Sequence, residues 1–220
     1  MNSFAVIFDM DGVIVDTNPY HKISLKQFCE KYGYRLNEED LISKIYGRTN
    51  NEWIRNIFGP LPKEKILELG EEKEAMFRAH YKDVIKPLSG LDSFLKELED
   101  RSIPKAIGTS APRSNVDFVL EQTHLRKYFT TILDQSDVEH GKPNPEIYLK
   151  VADRLGFPPQ QCIVFEDSLS GVESAQRAGA KVVGITTTHS HEELAHTDLV
   201  IADFTGLEPL ELYRRIFERL

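Results

Sequence analysis

The chain has 220 residues, 40% hydrophobic and 28% charged, a length and balance that fit one large globular domain or two modest ones. Its 27 lysines and arginines against 35 aspartates and glutamates leave a formal charge of −8, which argues against a nucleic-acid groove or an anionic membrane surface as the main partner. Cys29 and Cys162, its two cysteines, sit far apart in apolar patterns, so no disulfide framework is expected and a reducing cytoplasm is the expected setting.

In chain order the first element is the apolar run at 4–8, FAVIF, read as a strand. It runs straight into Asp9 and Asp11, with Asp16 shortly after. Carboxylates so close together repel one another, and the end of a hydrophobic strand raises that cost unless a cation or a proton compensates. From 16 to 81 no strand is expected, only helical patterns at 21–33, 50–59 and 62–83. This stretch reads as a small helical cap domain inserted after the first strand, with Trp53 in its core.

Beyond it the pattern alternates. Short apolar runs at 104–109, 130–134, 162–166, 181–186 and 199–203 read as buried parallel strands, since near-continuous hydrophobicity marks strands covered on both faces. Helical spacings fill the gaps at 91–101, 114–124, 145–156 and 170–179, two of them ending at Gly156 and Gly179. The fold class expected is α/β, a doubly wound, Rossmann-like parallel sheet, with residues 1–15 and 82–220 as the core and 16–81 as the inserted cap. The histidines of THSHEELAH (His189, His191 and His196) read as surface residues beside a helix capped by Ser190, since a five-residue spacing does not share one helix face. No apolar run approaches the roughly 18 residues of a membrane span, and a soluble, unprocessed protein is expected.

Ligands of an open parallel sheet collect outside the carboxyl ends of its strands. Those ends supply Asp9, Asp11 and Gly12; Thr109 and Ser110; Lys142 in GKPNPE; and Glu166 with Asp167 in FEDS. Such an inventory fits phosphoryl transfer through an aspartyl-phosphate: a carboxylate nucleophile, a cation held by other carboxylates, and a fixed positive charge with hydroxyl donors for the phosphate. Mg²⁺ is the expected cofactor because every candidate ligand is an oxygen. Lys142 precedes a proline that biases it toward an extended backbone, and Asn144 can cap the helix that Pro145 starts.

DMDGV at 9–13, Thr109, Lys142 and the Glu166–Asp167 pair, in that order, resemble the four motifs of the haloacid dehalogenase superfamily, and within it the β-phosphoglucomutase-like phosphatases. The resemblance implies that Asp9 attacks phosphorus and that Asp11 protonates the leaving oxygen and later activates water. It further implies that Asp9, the Asp11 carbonyl, Glu166 and Asp167 hold Mg²⁺, while Thr109, the Ser110 amide and Lys142 hold the phosphoryl group. In the cap, His21 resembles the hinge histidine of mutase-like members and Lys73 a cap lysine. YGRTNNEW at 46–53 resembles the loop that closes on the leaving group, adding Arg48, Thr49 and Asn50 as substrate-binding candidates. Asn50 stands where the mutases carry an arginine for a second phosphate, with Arg48 two residues earlier, which favours a phosphatase over a mutase. The resulting expectation is a Mg²⁺-dependent phosphatase of small phosphorylated metabolites, monomeric, with no nucleic-acid or membrane partner. The alternatives are a β-phosphoglucomutase and a non-catalytic phosphometabolite-binding module.

Overall fold

The structure is a computed structural model and describes residues 4–45 and 49–218. It opens with β1 (Ala5–Phe8), buried along its whole length. Thr17 begins an excursion of helices: α1 (Asn18–Lys31), the short α2 (Glu38–Asp40), a π-helical turn at Leu41–Ile45, α3 (Asn50–Phe58) and α4 (Lys63–Tyr81). The chain then alternates through α5 (Leu91–Asp100), β2 (Lys105–Gly108), α6 (Arg113–Gln122), β3 (Thr131–Leu133), α7 (Glu146–Leu155), β4 (Cys162–Glu166), α8 (Leu169–Ala178) and β5 (Lys181–Ile185). It ends with α9 (His191–Leu194), β6 (Leu199–Ile201) and α10 (Pro209–Phe217).

Two compact units result, one of Met1–Asp16 with Ile85–Leu220, the other of Thr17–Val84. The first is a six-stranded parallel sheet in the order β3-β2-β1-β4-β5-β6, the doubly wound α/β fold expected from the alternation. Alternate residues of β1 face opposite ways, and the two faces differ in what covers them. Ala5 and Ile7 join Val164, Ile147, Tyr148, Val151 and Val172 under α7 and α8. Phe8 belongs to an aromatic cluster with Phe94, Phe129, Phe165 and Phe204, stacked on Phe165 at 5.2 Å between centroids. Each such ring, taken wholly out of water, contributes on the order of 1.5–3 kcal/mol before entropy is counted.

The second unit closes around Phe28, Leu25, Leu41, Trp53, Ile54 and Leu69. Trp53 meets Phe28 edge-on at 5.8 Å and donates its indole N–H to Asn50 Oδ1 at 2.7 Å, so it is a core residue with a satisfied polar handle. Thr49 caps α3 in a reciprocal box with Glu52. Cys29 and Cys162 are both free and buried, one in each unit. Among the described residues no helix is long and apolar enough to cross a membrane.

Candidate active site

Strand β1 is hydrogen-bonded to β2 on one side and β4 on the other, so its carboxyl end lies centrally in the sheet and its next residues emerge between neighbouring strand ends. Asp9 continues the ladder through its N–H to the Phe165 carbonyl at 3.0 Å. The chain then turns within one step, as Met10 O accepts the amides of Val13, Ile14 and Val15. Gly12 makes this turn possible. Its φ of +77° is left-handed, and a Cβ there would stand 1.9 Å from Asp167 Oδ2. The glycine thus lets the Asp167 carboxylate lie against the turn that carries Asp9 and Asp11.

Lys142 reaches this point from the loop between β3 and α7. Its side chain is 7% exposed, and Nζ donates to Asp9 Oδ1 at 2.7 Å and to Glu166 Oε1 at 2.6 Å. The loop is braced at its far end: Asn144 Oδ1 accepts the Glu146 amide at 3.0 Å, the cap expected of it, and the Glu146 carboxylate accepts the amides of Glu139 and His140. Thr109 is buried where β2 ends, its N–H on the Leu133 carbonyl and its hydroxyl accepting the Ala111 amide at 3.1 Å; Ser110 beside it is exposed. Ala111 also accepts the Gln135 amide, tying the ends of β2 and β3 together.

One oxygen each from Asp9, Glu166 and Asp167 lie within 4.8 Å of one another, the one group of three or more potential metal-binding side chains among the described residues. Burial pushes the Asp9 carboxyl up to about 7, against the pull of Lys142 and with help from Glu166 and Asp11. Asp167 is driven well above the usual carboxylate range by burial and then by the charges of Glu166 and Asp9. Lys142 resists the downward push of its own burial because Asp9 and Glu166 face it, and it stays above an ordinary lysine. Carboxylates outnumber cations here, and every donor is a hard oxygen. That donor set fits a divalent cation, and Gly12 is what lets the Asp167 carboxylate join it.

The cap candidates His21, Lys73 and Asn50 meet inside the second unit. Lys73, 4% exposed, donates to Glu74 Oε1 at 2.9 Å and stands 2.8 Å from His21 Nδ1. Asn50 donates to the same Glu74 oxygen at 3.2 Å, and His21 stacks on Phe77. Thr49 is engaged with Glu52 at the start of α3, and Arg48 lies outside the described residues. His189 faces Glu193, and Ser190 caps α9 as expected.

Sequence reasoning missed several residues of the site. Thr187 donates its hydroxyl to the Gly12 carbonyl at 2.6 Å and Thr188 donates to Asp167 Oδ2. They follow β5, so the rule that sites gather at strand ends could have found them. Tyr148, whose hydroxyl donates to Glu166 Oε1 at 2.7 Å, sits in the first turn of α7, where no pattern announces it. Apart from the cluster, Arg113 at the start of α6 pairs with the fully buried Asp134 at 2.7 Å.

A sequence model of haloacid dehalogenase-like hydrolases matches residues 6–185, which span both the cluster and the inserted helices. The chain belongs to that family. It is 37% identical over 180 residues to the phosphorylated carbohydrates phosphatase of Thermotoga maritima, covering 80% of this chain and 81% of that one. It is 28% identical to the β-phosphoglucomutase of Bacillus subtilis, covering 98% and 96%. The crystal structure of a HAD hydrolase, family IA, variant 3, from Entamoeba histolytica superposes with a TM-score of 0.90 at 32% identity, covering 97% of this chain and 99% of that one. Within the haloacid dehalogenase-like family the chain is a phosphohydrolase of the β-phosphoglucomutase-like kind.

Proposed function

We propose that this phosphohydrolase is a Mg²⁺-dependent phosphatase of small phosphorylated metabolites, sugar phosphates foremost, working through an aspartyl-phosphate on Asp9. The observation that carries the reading is the Lys142 ammonium, 2.7 Å from Asp9 Oδ1 in a buried crevice that also holds Asp167. A carboxylate so placed has a fixed cation beside it and is shielded from bulk water, which suits a nucleophile toward a phosphate ester. The name of the Thermotoga relative points to the same substrate class.

In this reading Asp9 attacks phosphorus as the bond from phosphorus to the ester oxygen breaks, and Asp11 gives its proton to the departing alkoxide. Water then forms the new bond to phosphorus and passes a proton to Asp11, and the Asp9–phosphorus bond breaks to release inorganic phosphate. Lys142 and Thr109 meet the phosphoryl oxygens. Asp9, Asp167 and the carbonyl of Asp11 would hold Mg²⁺, which when bound neutralises the gathering charge on the phosphoryl group.

Hydrolysis is favoured over mutase chemistry because Asn50, standing where the mutases are expected to carry an arginine, is engaged by Glu74 and Trp53 and brings no positive charge. The test is phosphate release from a panel of phosphorylated metabolites with Mg²⁺ and with chelator, using parent protein and Asp9→Asn. The parent should release phosphate only with the metal, and Asp9→Asn should fall by roughly 10³-fold or more with its melting temperature kept. Turnover in Asp9→Asn near that of the parent would remove Asp9 as the nucleophile. Conversion of β-glucose 1-phosphate to glucose 6-phosphate without free phosphate would make the chain a mutase.

A further inference from the structure

Glu166 is fully buried and ends β4, yet no part of its carboxylate lacks a protein donor. Oε2 accepts the amides of Asp167 at 3.0 Å and Ser168 at 3.1 Å together with the Ser168 hydroxyl at 3.1 Å. Oε1 accepts Lys142 Nζ at 2.6 Å and the Tyr148 hydroxyl at 2.7 Å. A carboxylate has about four lone-pair sites, so five donors occupy it completely. Glu166, which the family resemblance implies as a metal ligand, thus has its hydrogen-bonding capacity already filled by the protein.

Tyr148 is the informative member of that set. It is 1% exposed, its ring lies among Ile7, Val164 and Ala106, and its face stands 4.8 Å from the Lys142 ammonium. Phenylalanine would fill the same space; the hydroxyl is buried solely against Glu166. A buried phenol O–H must find an acceptor, and this one spends it on the oxygen that also grips Lys142. The three protons of Lys142 are in turn directed at Glu166, at Asp9 and, more distantly at 3.4 Å, at the Gly108 carbonyl. Where Glu166 Oε1 stands therefore determines where the ammonium stands relative to Asp9.

We propose that Tyr148 is a positioning residue of this site: its hydroxyl fixes the Glu166 carboxylate that holds Lys142 against Asp9, so that Glu166 serves the lysine and leaves the cation to Asp9 and Asp167. The proposal rests on the phosphatase reading for the role of Lys142 toward phosphate, and on geometry alone for the chain Tyr148–Glu166–Lys142.

The test is Tyr148→Phe, which keeps the ring and removes one oxygen. In protein labelled with ¹⁵N-lysine, the Lys142 Nζ resonance, assigned by its loss in Lys142→Met, should shift between parent and variant. Calorimetric titration should show affinity for inorganic phosphate in the presence of Mg²⁺ lowered about tenfold and affinity for Mg²⁺ alone held within about threefold. The melting temperature should fall by roughly 3–12 °C, the loss of one hydrogen bond to a charged group. Glu166→Gln should likewise keep Mg²⁺ binding within about tenfold, whereas Asp167→Asn should lose about a hundredfold. An unmoved Lys142 resonance overturns the proposal. So does a loss of phosphate affinity matched by an equal loss of Mg²⁺ affinity, which is what general loosening of the fold produces. If the parent releases no phosphate from any ester, the phosphatase reading fails, but the Lys142 resonance still decides the role of Tyr148.

Discussion

Gly171→Ala would normally be a stabilising change. The residue is the third of α8, and alanine is favoured over glycine inside a helix by about 1 kcal/mol. Here the sign should reverse, because a Cβ at 171 would stand 1.7 Å from Glu166 Oε1 and 2.0 Å from its carboxyl carbon. Ordinary van der Waals contact begins at 3.4 Å, so the oxygen would have to withdraw by as much again as it now lies away. It cannot do so and keep both Lys142 and Tyr148, at 2.6 and 2.7 Å. Hydrogen bonds to a charged group contribute about 1.5–3 kcal/mol each, so losing two of them outweighs the helix gain and leaves a net loss of roughly 2–5 kcal/mol. Thermal unfolding followed by circular dichroism should then show a melting temperature lower by roughly 5–20 °C. In a Glu166→Ala background the obstacle is gone, and Gly171→Ala should be neutral or stabilising by up to ~1 kcal/mol, a coupling that a double-mutant cycle reads directly. A Gly171→Ala protein that melts at or above the parent temperature would refute the packing argument and the rigidity assigned to Glu166 with it.

Two further outcomes follow from the site and the loop that carries its lysine. Asp11→Asn should slow hydrolysis of sugar phosphates by about 10²-fold or more while affecting p-nitrophenyl phosphate far less, because an activated leaving group needs little protonation; equal losses on both substrates would count against Asp11 as the acid. Glu146 is held down to about 2 by the Lys150 side chain and then by the amides of Glu139 and His140, so its contribution to stability is complete above the ordinary glutamate value and is lost as the pH falls toward 2. Parent and Glu146→Gln should therefore differ in melting temperature at pH 6 and converge on acidification, and a gap that is constant from pH 6 to pH 2 would show that the charge of Glu146 contributes nothing.

The core of this molecule was legible in the sequence wherever one residue's neighbours are fixed by strand order. A run such as CIVFE is buried on both faces and can only be an inner parallel strand, and the residues that end such strands must converge. Asp9, Glu166 and Asp167 come together this way, joined by Lys142 from the KPNP loop, while Thr109 lies where β2, the strand beside β1, ends. What could not be read is what depends on how far a helix start sits from a strand end. Tyr148 reaches Glu166 across 18 positions, and Gly171 is glycine because a carboxylate five residues earlier folds back beneath it. Neither relation has a period. The cap was harder for another reason: polar residues on helices of a small domain look alike in sequence whether exposed or buried. Only the structure shows Lys73 and Glu74 as a buried pair with His21 and Asn50 around them.

The adjacent acids Glu166 and Asp167 illustrate how far environment can divide two residues of nearly the same chemistry. Both are buried, and burial alone would raise both. Lys142, Tyr148 and the amide of Ser168 instead hold the Glu166 carboxyl below its ordinary value, so it is a settled anion whose charge is already matched. Asp167 has the Thr188 hydroxyl and faces the charges of Glu166 and Asp9, which drive it upward. Thr188 and Lys142 pull Asp167 the other way but do not offset the push from burial and from those charges. When neighbouring groups are pushed apart in this way their roles divide with them. On the proposed reading, a divalent cation held by Asp9 and Asp167 would relieve the repulsion among these carboxylates, while Glu166 keeps the lysine, the phenol and the helix-start amides that already bind it.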